Sequence, residues 1–251
     1  PQGKSAGMKR AICAENENLL WLATNGGLSL FDSKAEKFRN YYHNFYDFKG
    51  LSDQFLNSLY RDRTGLLWIG TQFQGINTLL THKYKFHTLQ IYDPSDKNGL
   101  SHNNVTSLLE DTSGNIWVGT FGGGLNKQTN RTPSSKKIDE SRFKWYQYNG
   151  TQSENSITTN GISCLMQDHD ENIWIGHGNG GINILNQKTG QLESFRRHNN
   201  IGLTEDRINS IYQDSRKRIW IATFSGGVNL FDNSLKRVSK VYDLVPNKKY
   251  T

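Results

Sequence analysis

The stretch GNIWVGTFGGGLN (residues 114–126) places a tryptophan between β-branched residues and follows it with three consecutive glycines. Related stretches surround four more tryptophans, so that the anchors are Trp21, Trp68, Trp117, Trp174 and Trp220. Their spacings are 47, 49, 57 and 46 residues. A fixed period of this length is typical of a supersecondary unit repeated along the chain. The long third interval contains the polar stretch KQTNRTPSSKKIDESR (127–142), for which we expect a surface insertion.

The agreement between the units extends upstream of each tryptophan. An acid lies six residues earlier in every unit, at Glu15, Asp62, Asp111, Asp168 and Asp214. The segment before the acid alternates apolar and polar residues, as in VTSLLED (105–111), and a D-x-x-G or related turn follows it. A third apolar segment follows the glycines, and an aromatic-rich segment such as KFRNYYH (37–43) closes the unit. Because the hydrophobic period is two, each unit is predicted to hold four short strands, and Asp62, Asp111, Asp168 and Asp214 are predicted turn anchors.

Four antiparallel strands per unit, repeated at this period, predict an all-β fold of β-propeller blades. The chain holds five such units, at approximately 8–48, 49–98, 99–155, 156–201 and 202–251, in a single propeller domain or part of one. Each tryptophan is expected between adjacent sheets, and the glycines after it are expected to turn the chain and let backbones approach. A phosphate loop at FGGG (121–124) is not favoured, because no Lys-Ser/Thr and no helical pattern follow it.

The composition narrows the class of function. The chain has 251 residues, Lys+Arg 30 against Asp+Glu 23, and a net charge of +7. Clusters of basic residues lie in four separate places, Lys136–Lys137, Arg196–Arg197, Arg216–Arg218 and Lys248–Lys249. No nucleic-acid-binding module is recognised, so nucleic acid is not an expected partner. An acidic glycan is the alternative use of the charge, beside ordinary solubility.

The apolar segments and the two cysteines further limit the kinds of protein that this sequence can be. The apolar runs, such as LLWLA (19–23), are too short for a membrane helix, and no signal peptide is seen at the start. Cys13 and Cys164 are far apart in strand-like segments, where buried free thiols are expected rather than a disulfide, and two cysteines alone do not make a structural zinc site. We expect neither a cofactor nor a metal.

The pattern GLSxNxVxSLxEDxxGxIWVGTxGGGLN at 99–126 resembles the two-component regulator propeller repeat of hybrid two-component histidine kinases in gut Bacteroidetes. The resemblance covers essentially the whole chain; the third unit is the nearest to the pattern and the first departs most, with Glu15 for Asp. It implies a periplasmic sensor of two seven-bladed propellers, followed by a β-sandwich, a membrane helix, a kinase and a DNA-binding regulator. It also implies that polysaccharide breakdown products are sensed. No kinase or regulator motif is present in this chain, so the resemblance makes it a non-catalytic piece of the sensor region. With five blades here, either the chain is a fragment of a seven-bladed ring or the family's blade count does not apply.

The candidate site is expected where connections between units meet the turns that follow the tryptophan strands. Amides, carboxylates and aromatic faces gather there, and they suit sugar hydroxyls and C–H faces. The predicted ligand-binding residues are Asp53, Gln54, Phe73, His102, Asn103, Asn104, Phe121, Asn160, His177, Arg207 and Phe224. The alternative is that the polar members only build turns. His177 replaces the threonine of the other units and has its own structural alternative, a buried histidine with satisfied nitrogens.

Three functions remain open on the residues alone. The first is a non-catalytic extracytoplasmic sensor module, whose expected partners are an oligosaccharide, the other domains of the same chain, and a second copy in a homodimer; membrane contact is expected only through the whole protein. The second is a propeller glycosidase or lyase, which requires clustered carboxylates or histidines with shifted pKa values. The third is a protein-interaction scaffold without a small ligand.

Overall fold

The computed structural model describes residues 11–47, 49–80, 85–91, 96, 98–129, 142–150, 156–199 and 201–242. Most of the predicted insertion (130–141), the basic pairs Lys136–Lys137 and Lys248–Lys249, and the ends of the first and last predicted strands lie outside these ranges. The described chain is all-β, with five four-stranded antiparallel sheets and one short 3-10 helix, Arg197–Asn199. The predicted class, β-propeller blades of four strands, is confirmed, and the aromatic-rich fourth segments are strands.

The strands follow chain order across each sheet. Blade 1 contains β1 (Ala11–Ala14), β2 (Leu19–Thr24), β3 (Gly27–Asp32) and β4 (Lys37–Tyr41). Blade 2 contains β5 (Leu56–Arg61), β6 (Leu66–Thr71), β7 (Ile76–Leu80) and β8 (Lys85–Leu89). Blade 3 contains β9 (Val105–Glu110), β10 (Ile116–Thr120), β11 (Leu125–Gln128) and β12 (Phe143–Tyr146). Blade 4 contains β13 (Ile162–Gln167), β14 (Ile173–His177), β15 (Ile182–Leu185) and β16 (Leu192–Phe195), and blade 5 contains β17 (Ile208–Gln213), β18 (Ile219–Thr223), β19 (Val228–Asp232) and β20 (Arg237–Tyr242).

The chain divides into two compact units, Pro1–Trp145 with blades 1 to 3 and Tyr146–Thr251 with blades 4 and 5. Within each unit, neighbouring blades pack face to face. One face of each sheet carries the tryptophan of the second strand, and we call it the tryptophan face; the other is the back face. Strand β11, and not a helix, follows the FGGG glycines, which agrees with the rejection of a phosphate loop.

Apolar side chains of two facing sheets form each joint between blades, because neither face can be buried by its own sheet. In unit 1, the tryptophan face of blade 1 meets the back face of blade 2 through Trp21, Leu28 and Leu30 against Leu59, Leu67, Ile69, Leu79 and Phe86. Blades 2 and 3 repeat this joint through Trp68, Ile76 and Leu80 against Val105, Leu108, Ile116, Val118 and Phe143. In unit 2, blades 4 and 5 repeat it through Trp174, Ile182, Ile184 and Phe195 against Ile208, Ile211, Ile219, Ile221 and Phe231. The prediction that the tryptophans lie between sheets is confirmed for these joints.

The acid of each blade holds the tryptophan, and in blades 2 to 5 it also holds the turn. The indole Nε1 donates to the carboxylate six residues earlier in all five blades, at 2.8 or 2.9 Å, through the pairs Trp21–Glu15, Trp68–Asp62, Trp117–Asp111, Trp174–Asp168 and Trp220–Asp214. The other oxygen of Asp111 accepts the backbone N–H groups of Ser113 and Asn115. The buried indole therefore has a charged partner, and the turn-anchor prediction is confirmed with a second role added.

A buried asparagine on the third strand fastens the connection that enters each of blades 2 to 5. Asn126 Oδ1 accepts the backbone N–H of Ser101, 25 residues earlier, at 2.8 Å. The same bond joins Asn77 to Ser52, Asn183 to Thr158 and Asn229 to Thr204. All four asparagines are fully buried, so each connection is fixed to the middle of its own sheet.

Glycine is required where the second strand turns into the third. Gly181 has φ of 70°, and a Cβ atom there would collide with the carbonyl oxygen of Phe195 on the fourth strand. Gly75 has φ of 69° and the same conflict with the carbonyl oxygen of Leu89. Both the backbone conformation and the close strand therefore exclude a side chain, as predicted for these glycines.

Candidate functional site

The turn after each tryptophan strand and the connection before the first strand of the same blade lie against one another. The N–H of the residue after the second strand donates to a connection carbonyl in blades 2 to 5, through the pairs Gln72–Phe55, Phe121–Asn104, Gly178–Gly161 and Phe224–Arg207. Turns also reach the next connection within a unit, since Gly75 N–H donates to Asn103 and Gly181 N–H donates to Asp206. In each unit, the predicted site residues therefore lie at one end of the blades.

In blade 2, Asp53 is part of the framework. It is buried, its Oδ1 accepts the N–H of Phe55 at 3.0 Å, and its Oδ2 accepts the N–H of Phe73 at 2.9 Å. The ring of Phe73 is more than half exposed and meets Phe55 edge-on at 6.0 Å. Gln54 is exposed beside them. Phe73 and Gln54 thus face solvent while Asp53 positions the turn.

In blade 3, the polar residues of the connection are occupied by bonds within the protein. Asn103 Oδ1 accepts the N–H of Ile91 at 2.8 Å, at the end of blade 2, and Asn104 Oδ1 accepts from the amide of Asn57. His102 is exposed, and its Nδ1 accepts the N–H of Asn104 at 3.0 Å. Phe121 lies on the adjoining turn with its ring 64% exposed. Of the predicted residues of this blade, the Phe121 ring and the His102 imidazole are the exposed ones.

In blade 4, both predicted residues serve the fold. Asn160 Oδ1 accepts the N–H of Tyr148 at 2.7 Å, as Asn103 does for Ile91 in blade 3. His177 is fully buried, with Nε2 2.8 Å from Asn183 Oδ1 and Nδ1 3.1 Å from Thr159 Oγ1. Burial lowers its pKa from the ordinary 6.5 to about 4, with the positive charge of Arg196 acting in the same direction and the bonds of the ring opposing it. His177 matches the structural alternative, and it does not reach the surface where we expected ligand contacts.

In blade 5, a cation lies on an exposed aromatic ring. The guanidinium carbon of Arg207 is 3.6 Å from the ring centroid of Phe224, and both side chains are exposed. Glu205 holds the same turn by accepting from Ser225 N–H at 2.6 Å and from Gly226 N–H at 3.1 Å. Desolvation raises the pKa of Glu205, but these bonds outweigh it and leave the pKa below its ordinary value. Arg207 and Phe224 are therefore brought together, on a turn that Glu205 fixes.

The connection from blade 1 to blade 2 carries exposed aromatic residues that the sequence reasoning did not include in the site. Phe45 is 82% exposed and Tyr46 is 93% exposed, and Tyr42 is largely exposed. The segment is ordered by its own bonds: His43 Nδ1 lies 2.7 Å from the carbonyl oxygen of Leu51, and Asn44 Oδ1 accepts the N–H of Tyr46 at 3.0 Å. The signal was the density of aromatic residues in YYHNFYDF (41–48).

The described residues give little indication of metal binding or of a reactive cysteine. Within those ranges, no group of three or more His, Cys, Asp or Glu residues could hold a metal ion. Cys13 and Cys164 are free thiols, as expected, although both residues are half-buried and not fully buried. Desolvation raises the pKa of Cys164 to about 12. None of the helices in the described part of the chain is long and apolar enough to cross a membrane.

The repeat is found by comparison with protein families. A family described as two component regulator propeller matches residues 50–73, 99–122, 156–179 and 202–225. Each match begins in a connection and ends in the turn after the tryptophan strand, so it contains the acid and the tryptophan that bond to one another. No curated protein sequence matches the chain.

Solved structures share the fold. The extracellular domain of a proposed hybrid two-component system from B. thetaiotaomicron aligns with a TM-score of 0.77 at 24% identity, over 94% of this chain and 30% of that one. The extracellular domain of a proposed one-component system from the same organism aligns with a TM-score of 0.75 at 18% identity, over 97% and 32%. Virginiamycin B lyase from Staphylococcus aureus aligns with a TM-score of 0.69 at 13% identity, over 98% and 72%.

At these identities the likeness establishes a common fold, and one fold can carry different functions. This chain spans about a third of the length of the two extracellular domains. The matched repeats, in contrast, recur at the same place in blades 2 to 5. Blades 2 to 5 of this chain therefore each contain a match to the two-component regulator propeller repeat.

Proposed function

We propose that this chain is a non-catalytic module of the periplasmic sensor region of a two-component signalling protein, and that it recognises an oligosaccharide. The observation that carries the sensor assignment is the fourfold match to the two-component regulator propeller repeat. Structures with the same fold include the extracellular domains of a proposed hybrid two-component system and of a proposed one-component system, which supports a place outside the cytoplasm. The other domains of the signalling protein, including its kinase, are the partners to which the signal passes.

Exposed aromatic rings support an oligosaccharide as the ligand. Phe45 and Tyr46 in the first connection, and Phe73 and Phe121 on two turns, present their rings to solvent within unit 1. Exposed aromatic groups of this kind mark binding sites, and flat rings suit the C–H faces of sugars. The net charge of +7 favours an acidic sugar chain over a neutral one by raising the encounter rate.

The alternative that this chain is an enzyme has a specific basis, because virginiamycin B lyase has the same fold. Three described groups with shifted pKa values do not support it. His177 is enclosed by its bonds, and the bonds of Glu205 and Asp214 hold turns of the framework. A catalytic acid or base needs an open path to its substrate. We therefore assign binding, and not turnover, to this chain.

Isothermal titration calorimetry of the 251-residue chain against neutral and acidic oligosaccharides tests the proposal. We expect saturable binding of at least one acidic oligosaccharide, weakened at least roughly tenfold by a Phe45→Ala, Tyr46→Ala double variant. Leu235→Ala is the matched control, because Leu235 is also more than half exposed but lies in the turn between β19 and β20. Silence across the panel from a folded chain contradicts oligosaccharide recognition, and cleavage products in the titrated mixture contradict a non-catalytic module.

A further inference from the structure

Unit 2 carries an exposed arginine that is held on an aromatic ring. Arg207 ends the connection that enters blade 5, and its carbonyl oxygen accepts the N–H of Phe224, the first residue after the tryptophan strand, at 2.9 Å. The guanidinium carbon lies 3.6 Å from the ring centroid of Phe224, and both side chains are exposed. Contact with the ring restricts the rotamers of the arginine and leaves its N–H groups for a further partner.

The two acidic residues before Arg207 bond to the backbone and not to the arginine. Glu205 Oε2 accepts the N–H of Ser225 at 2.6 Å and its hydroxyl at 3.0 Å. Asp206 Oδ1 accepts the N–H of Arg197 at 2.7 Å. In the part of the chain that the structure describes, no carboxylate lies within ion-pair distance of Arg207. A guanidinium that is held in place without a bonded counter-charge is suited to bind a carboxylate through two parallel hydrogen bonds.

Blade 4 leaves open space at the two positions where blade 5 has its arginine and its phenylalanine. Gly161 and Gly178 stand there, joined by the same backbone bond. A Cβ atom would meet nothing within 4 Å at Gly161, and at Gly178 only the carbonyl oxygen of Gly161 at 4.0 Å. The turn of blade 4 is bonded to the residue before Arg207, because Gly181 N–H donates to the carbonyl oxygen of Asp206 at 2.9 Å. The uncovered backbone and the arginine therefore lie on adjoining parts of one surface.

This end of a blade stays exposed when another blade packs beside it. Blade 2 is followed by blade 3 within unit 1, and Phe73 on its turn is still 55% exposed. Blade 4 is followed by blade 5 within unit 2, and Gly178 and Asn179 of its turn are exposed. Arg207 and Phe224 lie at the same end of their blade, and not on the sheet face that forms a joint. Their exposure therefore follows the pattern of blades that have a neighbour.

We propose that Arg207, held on Phe224, binds the carboxylate of a uronic acid residue in an oligosaccharide, and that the neighbouring sugar lies over the open backbone of Gly161 and Gly178. The guanidinium N–H groups match the two oxygens of a carboxylate, whereas a primary hydroxyl in its place offers one oxygen. Backbone without side chains permits the close approach of a flat ring. This inference rests on the proposed oligosaccharide recognition, and it names the charged group of the ligand and a subsite for it in unit 2.

Isothermal titration calorimetry of the 251-residue chain tests the inference with oligogalacturonates, alginate oligosaccharides and hyaluronan oligosaccharides, each beside its carboxyl-reduced form. The reduced sugar keeps the rings and linkages and lacks the carboxylates. We expect at least one acidic oligosaccharide to bind at least roughly tenfold more tightly than its reduced form, because hydrogen bonds to a charged group are the strong ones. Added salt should weaken the binding of the acidic form and leave that of the reduced form unchanged.

Three variants assign the preference for the acidic form to the proposed subsite. Arg207→Lys keeps the charge and loses the planar fork, so it should reduce the preference at least roughly fivefold. Arg216→Gln is the matched control, because Arg216 is exposed in the turn between β17 and β18, at the other end of the same blade. Gly178→Leu fills the open space at a residue without a positive φ, and it should weaken binding of the acidic form at least roughly tenfold. Circular dichroism and thermal melting check that each variant folds.

The outcomes separate this inference from the proposed function. Equal affinity for acidic and reduced forms would overturn the inference and leave oligosaccharide recognition standing. The same holds for a preference that Arg207→Lys does not change, for one that Arg216→Gln reduces equally, and for an affinity that Gly178→Leu does not change. Silence of the folded chain towards every acidic and reduced oligosaccharide would overturn both the inference and the proposed function.

Discussion

Lowering the pH from about 6.5 to about 4 should reduce the stability of this protein because of the buried His177. The folded chain keeps the imidazole neutral down to about pH 4, because burial opposes its charge, whereas the unfolded chain takes up the proton near pH 6.5. Between these values the unfolded state binds more protons, so the free energy of unfolding falls as the pH falls. The difference of about 2.5 in pKa corresponds to about 3 kcal/mol, lost between about pH 6.5 and 4 and constant below.

The assay is urea unfolding at a series of pH values for the original chain and for His177→Thr. Threonine is the residue at this position in the other four blades, where its hydroxyl bonds a glycine carbonyl, as Thr71 does with Gly75. Other titrating groups remain in both proteins, so the difference between the two curves isolates His177. On going from pH 7 to pH 4, the free energy of unfolding of the original chain should fall by about 3 kcal/mol more than that of the His177→Thr variant. Parallel curves, or a change of opposite sign, would refute the burial argument.

The remaining predictions concern the repeat's framework and use urea unfolding at neutral pH. Asp111→Asn should cost about 2–3 kcal/mol, because the buried Trp117 indole loses a charged acceptor; an unchanged midpoint would show that the bond contributes nothing. Gly181→Ala should cost roughly 2–4 kcal/mol, since the new methyl group meets the Phe195 carbonyl at a positive φ, and a gain in stability would contradict that geometry. Asn126→Ala should cost about 1–3 kcal/mol by leaving a connection N–H unpaired, with a value near zero as the contrary result.

The architecture was accessible from the sequence because its signals are local and repeated. Each blade contains the period-two segments and the turns with Asp and Gly, and the tryptophans recur from blade to blade. Five copies of this pattern make chance agreement implausible. The bond between Asp111 and Trp117 was not foreseen, although its six-residue spacing was noted. The spacing alone is compatible with a turn anchor; only the direction of the indole in the folded sheet shows that the carboxylate has a second partner.

The site was harder to predict because its polar residues have two possible uses. Asn103 and Asn160 were chosen for their amides, and both amides accept backbone N–H groups 12 residues earlier in the chain. These bonds cross a connection, so neither partner is recognisable from its own neighbours in sequence. The buried asparagines such as Asn126 were not predicted for the same reason. An Asn two residues after the last glycine of the turn nevertheless recurs in four blades.

The repeat separates the residues that fold a blade from those that can differ without disturbing it. At the first position of the turn after the tryptophan strand, the backbone N–H makes the same bond to the connection in four blades, at 2.9 or 3.0 Å. The side chain there takes no part in that bond, and it differs between blades: Gln72, Phe121, Gly178 and Phe224. Because the backbone alone maintains the turn, a change of side chain at this position alters the exposed surface and leaves the joint intact. Selectivity between ligands would therefore depend on the side chains at this turn position, which differ between blades. The acid, tryptophan and asparagine that the blades share maintain their common structure.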